Sequence, residues 1–114
     1  MASKKILIID DEEDLRKLLK TFLIPLNYDV HTASTLAEGL ELLSEIKPDI
    51  IFLDNNLPDG LGWDKLEIIQ QYAPQCKINL ISAFKFVPEA VRGNEAIRLI
   101  EKPISFAMLR SYLD

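Results

Sequence analysis

The sequence predicts an α/β fold: a doubly wound, five-stranded parallel sheet with helices on both faces. Three observations carry this expectation. Short apolar runs alternate with stretches of helical periodicity along all 114 residues. Three of the runs are near-continuous rather than alternating, which is the pattern of strands buried on both faces, as in a parallel sheet covered by helices. The strand-plus-helix unit recurs about every 20–25 residues, a spacing that suits right-handed crossovers in an open sheet.

Residues 4–9 (KKILII) form the first strand and end abruptly in acids. From Asp11 onward, Leu15, Leu18, Leu19, Phe22 and Leu23 trace the stripe of an amphipathic helix, which Pro25 and Asn27 stop. Residues 28–33 are the second strand. Thr35 and Glu38 make a capping box, and Leu36, Leu40 and Leu43 mark a buried helix face, closed by Pro48. Residues 49–53 (DIIFL) are the third strand, running into Asp54. Pro58, Gly60 and Gly62 make residues 55–62 a loop. A helix follows over 63–72, with Leu66, Ile69 and Ala73 on one side. Residues 77–81 (KINLI) are the fourth strand and 97–100 (IRLI) the fifth, with a last helix over 104–113. Between these strands Pro88 and Gly93 break the periodicity, so the fourth helix is expected to be short or irregular, at roughly 88–92.

The composition is that of one ordinary soluble domain, 48% hydrophobic and 27% charged, so residues 1–114 are read as a single unit. A net charge of −5 with no Lys/Arg run argues against direct nucleic-acid binding. No apolar run approaches the ~20 residues of a membrane span. Residues 1–5 (MASKK) run directly into the first strand with no secretory h-region, so no leader is expected. One cysteine, Cys76, excludes an intrachain disulfide, and with no histidine nearby it reads as a structural or surface thiol. The expectation is a cytoplasmic protein.

Ligands of such sheets bind outside the carboxyl ends of the strands, so the residue after each strand matters most. Asp10 and Asp11 follow the first, Asp54 the third, Ser82 the fourth and Lys102 the fifth. Each has a plain reading alone: Asp10 and Asp11 as helix caps, Asp54 as a loop opener, Lys102 as solvated surface. Together they bring three carboxylates, a hydroxyl and an amine to one edge. Three clustered carboxylates repel unless a cation sits among them, and hard oxygen donors suit Mg²⁺. A carboxylate beside Mg²⁺ can attack phosphorus and form an acyl phosphate. The cation would then neutralise one phosphoryl oxygen and the Lys102 ammonium another, and the Ser82 hydroxyl would donate to a third.

At this point the sequence resembles the response-regulator receiver family of two-component signalling. The resemblance rests on ILIIDD at 6–11, DIIFLDNNLPDGLG at 49–62, LISA at 80–83 and EKP at 101–103, in order and spread over the whole chain. It implies a flavodoxin-like strand order, 2-1-3-4-5. It implies Asp54 as phosphoacceptor and Mg²⁺ held by Asp10, Asp11, Asp54 and the backbone carbonyl of Asn56. It implies Ser82 as the switch hydroxyl, Ala83 as the small residue beside it, Lys102 as the phosphoryl partner, and a cis Lys102–Pro103 peptide. The implied phosphoryl donor is the phosphohistidine of a histidine kinase or histidine phosphotransfer protein. The output would pass to a domain C-terminal to residue 114 or to a separate effector, with a homodimer linked to phosphorylation as a further implied partner. The domain would catalyse its own phosphotransfer and slow autodephosphorylation.

The sequence departs from the family at Leu99, where Tyr or Phe is usual. Leu99 either packs only, or Phe84 or Phe86 acts in its place; packing is the expectation for all three. Two other functions use similar residues. A Mg²⁺-dependent phosphohydrolase would need its nucleophile after the first strand with a second Asp two residues on, where this chain has Glu12. A receiver-like interaction module would not be phosphorylated at all.

Overall fold

The structure, a computed structural model, describes residues 3–83 and 93–113. Five parallel strands make one sheet: β1 (Lys5–Ile9), β2 (Asp29–Ala33), β3 (Ile50–Asp54), β4 (Lys77–Ser82) and β5 (Ile97–Glu101). Their order across the sheet is β2-β1-β3-β4-β5, as expected. Strand order reverses at β1 and β3, and the two strands that diverge there carry Asp10 and Asp54 at their ends.

Residues along the strands alternate between two cores. Leu7, Ile9, Ile51, Leu53, Ile78 and Leu80 pack on one face, with Leu36 and Leu43 of α2 (Leu36–Ile46) and Leu66 and Ile69 of α3 (Leu66–Tyr72). Ile6, Ile8, Ile50, Phe52, Ile81 and Ile100 pack on the other, with Leu19 and Leu23 of α1 (Glu13–Leu23) and with Leu109. This double covering is why the strand sequences read as continuous apolar runs. Each fully buried Leu, Ile or Phe contributes about 1.5–3 kcal/mol relative to exposure. At Gly39 the second helix lies so close to β1 that a Cβ would stand 2.4 Å from Ile9 Cδ1. Leu99 is half-buried against the first core, consistent with a packing role.

The helices differ from expectation in detail. Leu18, expected in the buried stripe of α1, is 54% exposed, because the helix rests on the sheet along Leu15, Leu19, Phe22 and Leu23. Pro25 does not simply end the helix but lies in a 3₁₀ turn, Ile24–Leu26, closed by Asn27 in the left-handed conformation (φ 69°). The helix expected over 63–72 opens as a 3₁₀ turn, Gly62–Lys65, before α3. The last helix is 3₁₀ throughout, Phe106–Tyr112. It is held by polar contacts as well as by Leu109: the buried Asn79 amide donates to the Tyr112 carbonyl at 3.0 Å, and Arg98 stacks on the Tyr112 ring. The expected fourth helix at 88–92 and the aromatics Phe84 and Phe86 lie outside the described residues. Among the described residues no helix is long and apolar enough to cross a membrane.

Candidate functional site

The backbone hydrogen bonds of the sheet continue one step past the strands, which fixes the polar residues there. Asp10 N donates to Ala33 O (3.0 Å), Asn55 N to Ile81 O (2.8 Å) and Lys102 N to Ser82 O (2.9 Å). The alternation that points Ile8, Phe52 and Ile100 into the second core places Asp10, Asp54 and Lys102 on that same side of the sheet edge. The Lys102–Pro103 peptide is cis, as the resemblance implied.

The three aspartates meet. Asp10, Asp11 and Asp54 each offer a carboxylate oxygen within 4.8 Å of the others. Asp10 and Asp54 are almost fully buried, and Asp11 is exposed. Lys102 joins them, with Nζ 3.4 Å from Asp54 Oδ1 and 3.7 Å from Asp10 Oδ2. Ser82 is fully buried at the end of β4, one residue beyond the Asp54–Ile81 register pair, and Ala83 beside it is exposed. Asn56 is exposed, and its N–H donates to Asp54 Oδ1 at 3.3 Å.

The plain reading of Asp10 and Asp11 as helix caps does not hold, whereas Asp54 does open the loop through its contact with Asn56 N. Neither Asp10 nor Asp11 is the N-cap of α1; that position is Glu12. Asp10 Oδ1 instead accepts from Glu12 N at 2.8 Å, while its Oδ2 is buried with no hydrogen-bond partner among the described residues. Arg16 does not neutralise that carboxylate, because its guanidinium donates to the Asp10 carbonyl at 2.8 Å.

Electrostatics follow from this crowding. Burial pushes the Asp54 carboxyl up to about 6, and the nearby Asp10 charge adds to the rise, against the pull of Lys102 and the Asn56 N–H. Burial also raises Asp10, partly offset by the Glu12 N–H and by Lys102. Burial alone would lower Lys102, but its hydrogen bond to Glu12 and the charges of Asp10 and Asp54 raise it overall. The ammonium therefore stays charged, and the carboxylates are short of positive charge. An unpartnered buried oxygen and three convergent carboxylates make a donor set that fits a hard divalent cation.

Several participants were not singled out by the sequence. Glu12 accepts a 2.8 Å hydrogen bond from Lys102 Nζ. Asn55, fully buried, accepts from Trp63 N at 3.0 Å, and its carbonyl accepts from Gly62 N at 2.8 Å, so residues 55–62 close into a tight loop rather than an open one. A two-residue antiparallel ladder, Asn56–Leu57 with Gly60–Leu61, braces it. Asp59 ties the loop to α2, its carboxylate accepting from Leu36 N (2.8 Å) and Ala37 N (2.9 Å); these bonds hold the Asp59 carboxyl below its ordinary range. Thr35 fills its expected capping role on Glu38 N, so α2 is capped twice. An Asp between Pro58 and Gly60 signalled a turn, but its partner 23 residues away carried no local signal.

The family profile of the response regulator receiver domain matches residues 6–114. The chain is 35% identical over 112 residues to the response regulator protein PilR of Pseudomonas aeruginosa, covering 96% of this chain but 25% of PilR. It is 34% identical over 104 residues to the chemotaxis protein CheY of Thermotoga maritima, covering 88% of this chain and 86% of CheY. Among solved structures, the response regulator protein TrrA of Thermotoga maritima in complex with Mg(2+)-BeF superposes with a TM-score of 0.78 at 27% identity, covering 96% of each chain.

Proposed function

We propose, since this chain belongs to the family of response regulator receiver domains, that residues 1–114 act as one receiver domain whose phosphoacceptor is Asp54. One observation carries the proposal: the Asp54 carboxylate lies buried among Asp10, Asp11 and the Lys102 ammonium at the switch point of the sheet. The carboxyl, pushed up to about 6, is still mostly ionised at pH 7 and so available as a nucleophile.

Asp10, Asp11, Asp54 and the Asn56 carbonyl would hold Mg²⁺. When bound, Mg²⁺ supplies charge neutralisation for the carboxylates and for the transferring phosphoryl oxygens. An Asp54 carboxylate oxygen forms the new O–P bond as the N–P bond of a donor phosphohistidine breaks, the electron pair leaving with the imidazole nitrogen. Lys102, already against Asp54 Oδ1, pairs with one phosphoryl oxygen, and Ser82 donates to another. Ser82 then reads out the modification, because its hydroxyl gains an acceptor that exists only in the phosphorylated state. The same site hydrolyses its acyl phosphate slowly.

The donor is a histidine kinase or histidine phosphotransfer protein, and the domain works in the cytoplasm. The output is a domain beyond residue 114 or a separate effector, together with a phosphorylation-linked homodimer. PilR, of which this chain spans a quarter, motivates the first of these outputs.

The test is incubation with acetyl phosphate and Mg²⁺, followed by intact-mass measurement. Wild type is expected to gain the mass of one phosphoryl group, labile to hydroxylamine, and Asp54→Asn to gain none. No gain in wild type with either acetyl phosphate or a phosphohistidine donor would end the proposal, as would an equal gain in the variant.

A further inference from the structure

Glu12 is the N-cap residue of α1, in extended conformation (φ −83°, ψ 110°), yet its side chain caps nothing. A carboxylate at an N-cap normally accepts from the free N–H groups of the first turn, which the positive end of the helix also favours. Here the Glu12 carboxylate turns away from its own helix and takes Lys102 Nζ at 2.8 Å, 90 residues along the chain. This is the shortest of the three ion-pair contacts made by that ammonium among the described residues, against 3.4 Å to Asp54 and 3.7 Å to Asp10. The three anions differ in setting: the side chains of Asp10 and Asp54 are 0% and 3% exposed, and that of Glu12 is 59% exposed. Lys102 thus stands between a buried pair of carboxylates and one at the rim.

We infer that Glu12 is a positioning residue, a rim anion that receives the Lys102 ammonium when a divalent cation takes the Asp10 and Asp54 oxygens. The inference rests on the phosphoacceptor reading and adds a step to it. Lys102 and a metal ion cannot share the same oxygens without mutual repulsion. With Glu12 present, Lys102 yields those oxygens and keeps a partner, staying within reach of a phosphoryl group on Asp54. Without Glu12, its remaining anions among the described residues are Asp10 and Asp54, and the ammonium competes with the metal for them. The contribution is of the order of an exposed ion pair, which corresponds to roughly a two- to fivefold change in metal affinity.

The test is Mg²⁺ titration followed by the amide chemical shifts of residues 10–12 and 56. The chains compared are wild type, Glu12→Gln, Glu12→Asp, Lys102→Met and Glu12→Gln with Lys102→Met. Glu12→Gln is expected to weaken Mg²⁺ binding about two- to fivefold. Glu12→Asp keeps the charge but loses one methylene of reach, and is expected to behave like Gln. With Lys102 already replaced by Met, Glu12→Gln is expected to have little effect. If Glu12→Asp binds Mg²⁺ like wild type, or if Glu12→Gln costs as much without Lys102 as with it, Glu12 acts only through its own charge and the inference is overturned. The single Glu12 variants decide this even if the Lys102 variants fail to fold. Wild type that does not bind Mg²⁺ overturns the reading beneath it as well.

Discussion

Replacing Asp54 by asparagine is expected to make the metal-free protein more stable at pH 7, by about 2–3 kcal/mol, while abolishing phosphoryl uptake. The Asp54 carboxyl is raised from an ordinary 3.8 to about 6, first by burial and then by Asp10. The folded state therefore holds its proton more tightly than the unfolded chain does. The stability this gives is fully present below pH 4 and is lost as pH rises to about 6. Above that, wild type carries the cost of a buried, crowded charge, and asparagine does not. The two proteins should differ little near pH 4 and diverge up to pH 7. Mg²⁺ should restore wild type more than the variant, because it stabilises the ionised form. Urea denaturation in EDTA across this range, repeated with Mg²⁺, measures it. Parallel stability curves from pH 4 to 7 would show that Asp54 is not held in a costly ionised state.

The second large effect is expected at Gly62. A Cβ there would stand 2.7 Å from the Asp54 carbonyl oxygen, 3.0 Å from Leu53 Cγ and 3.2 Å from Asn55 Cα. Two of these neighbours are backbone, so relief requires the main chain at Asp54 and Asn55 to move. Gly62→Ala is expected to cost about 1–3 kcal/mol in stability. It should also lower the rate of acyl phosphate formation, on the order of tenfold or more, since displacing a reacting group by a fraction of an ångström is expensive. Denaturation and mass-detected phosphorylation of one preparation separate the two effects. A stability within about 0.5 kcal/mol of wild type, with an unchanged rate, would mean that the loop yields freely.

Much of this molecule was legible in its sequence, for physical reasons that differ by region. Residues 50–53 and 78–81 announce buried strands because both faces of the sheet are covered, leaving the runs apolar apart from the buried Asn79. Asp10, Asp54 and Lys102 could be placed because a strand end in a parallel sheet is also a site edge. Leu18 was misplaced because helical periodicity gives a stripe but not its width. The last helix carried α periodicity and folded as 3₁₀, its register set by Asn79 and Arg98 reaching the Tyr112 end from the sheet. Glu12 was passed over because an acid before a helix already has an adequate local explanation. Asp59 was passed over because it acts on a helix 22 and 23 residues upstream, and no local pattern records such a pairing.

Cys76 gives the chain a built-in clock. Its thiol is 2% exposed, lies in the core between the sheet and α3, and is pushed up to about 12 by burial and the Asp49 charge. A thiol so held is almost wholly protonated at neutral pH and shielded from reagents, so an alkylating agent can modify it only in molecules that have opened. The rate of labelling then counts opening events on that side of the sheet. Slower labelling with Mg²⁺ and beryllofluoride would report that loading Asp54 closes the core some way from the acid cluster, and an unchanged rate would confine the change to the sheet edge.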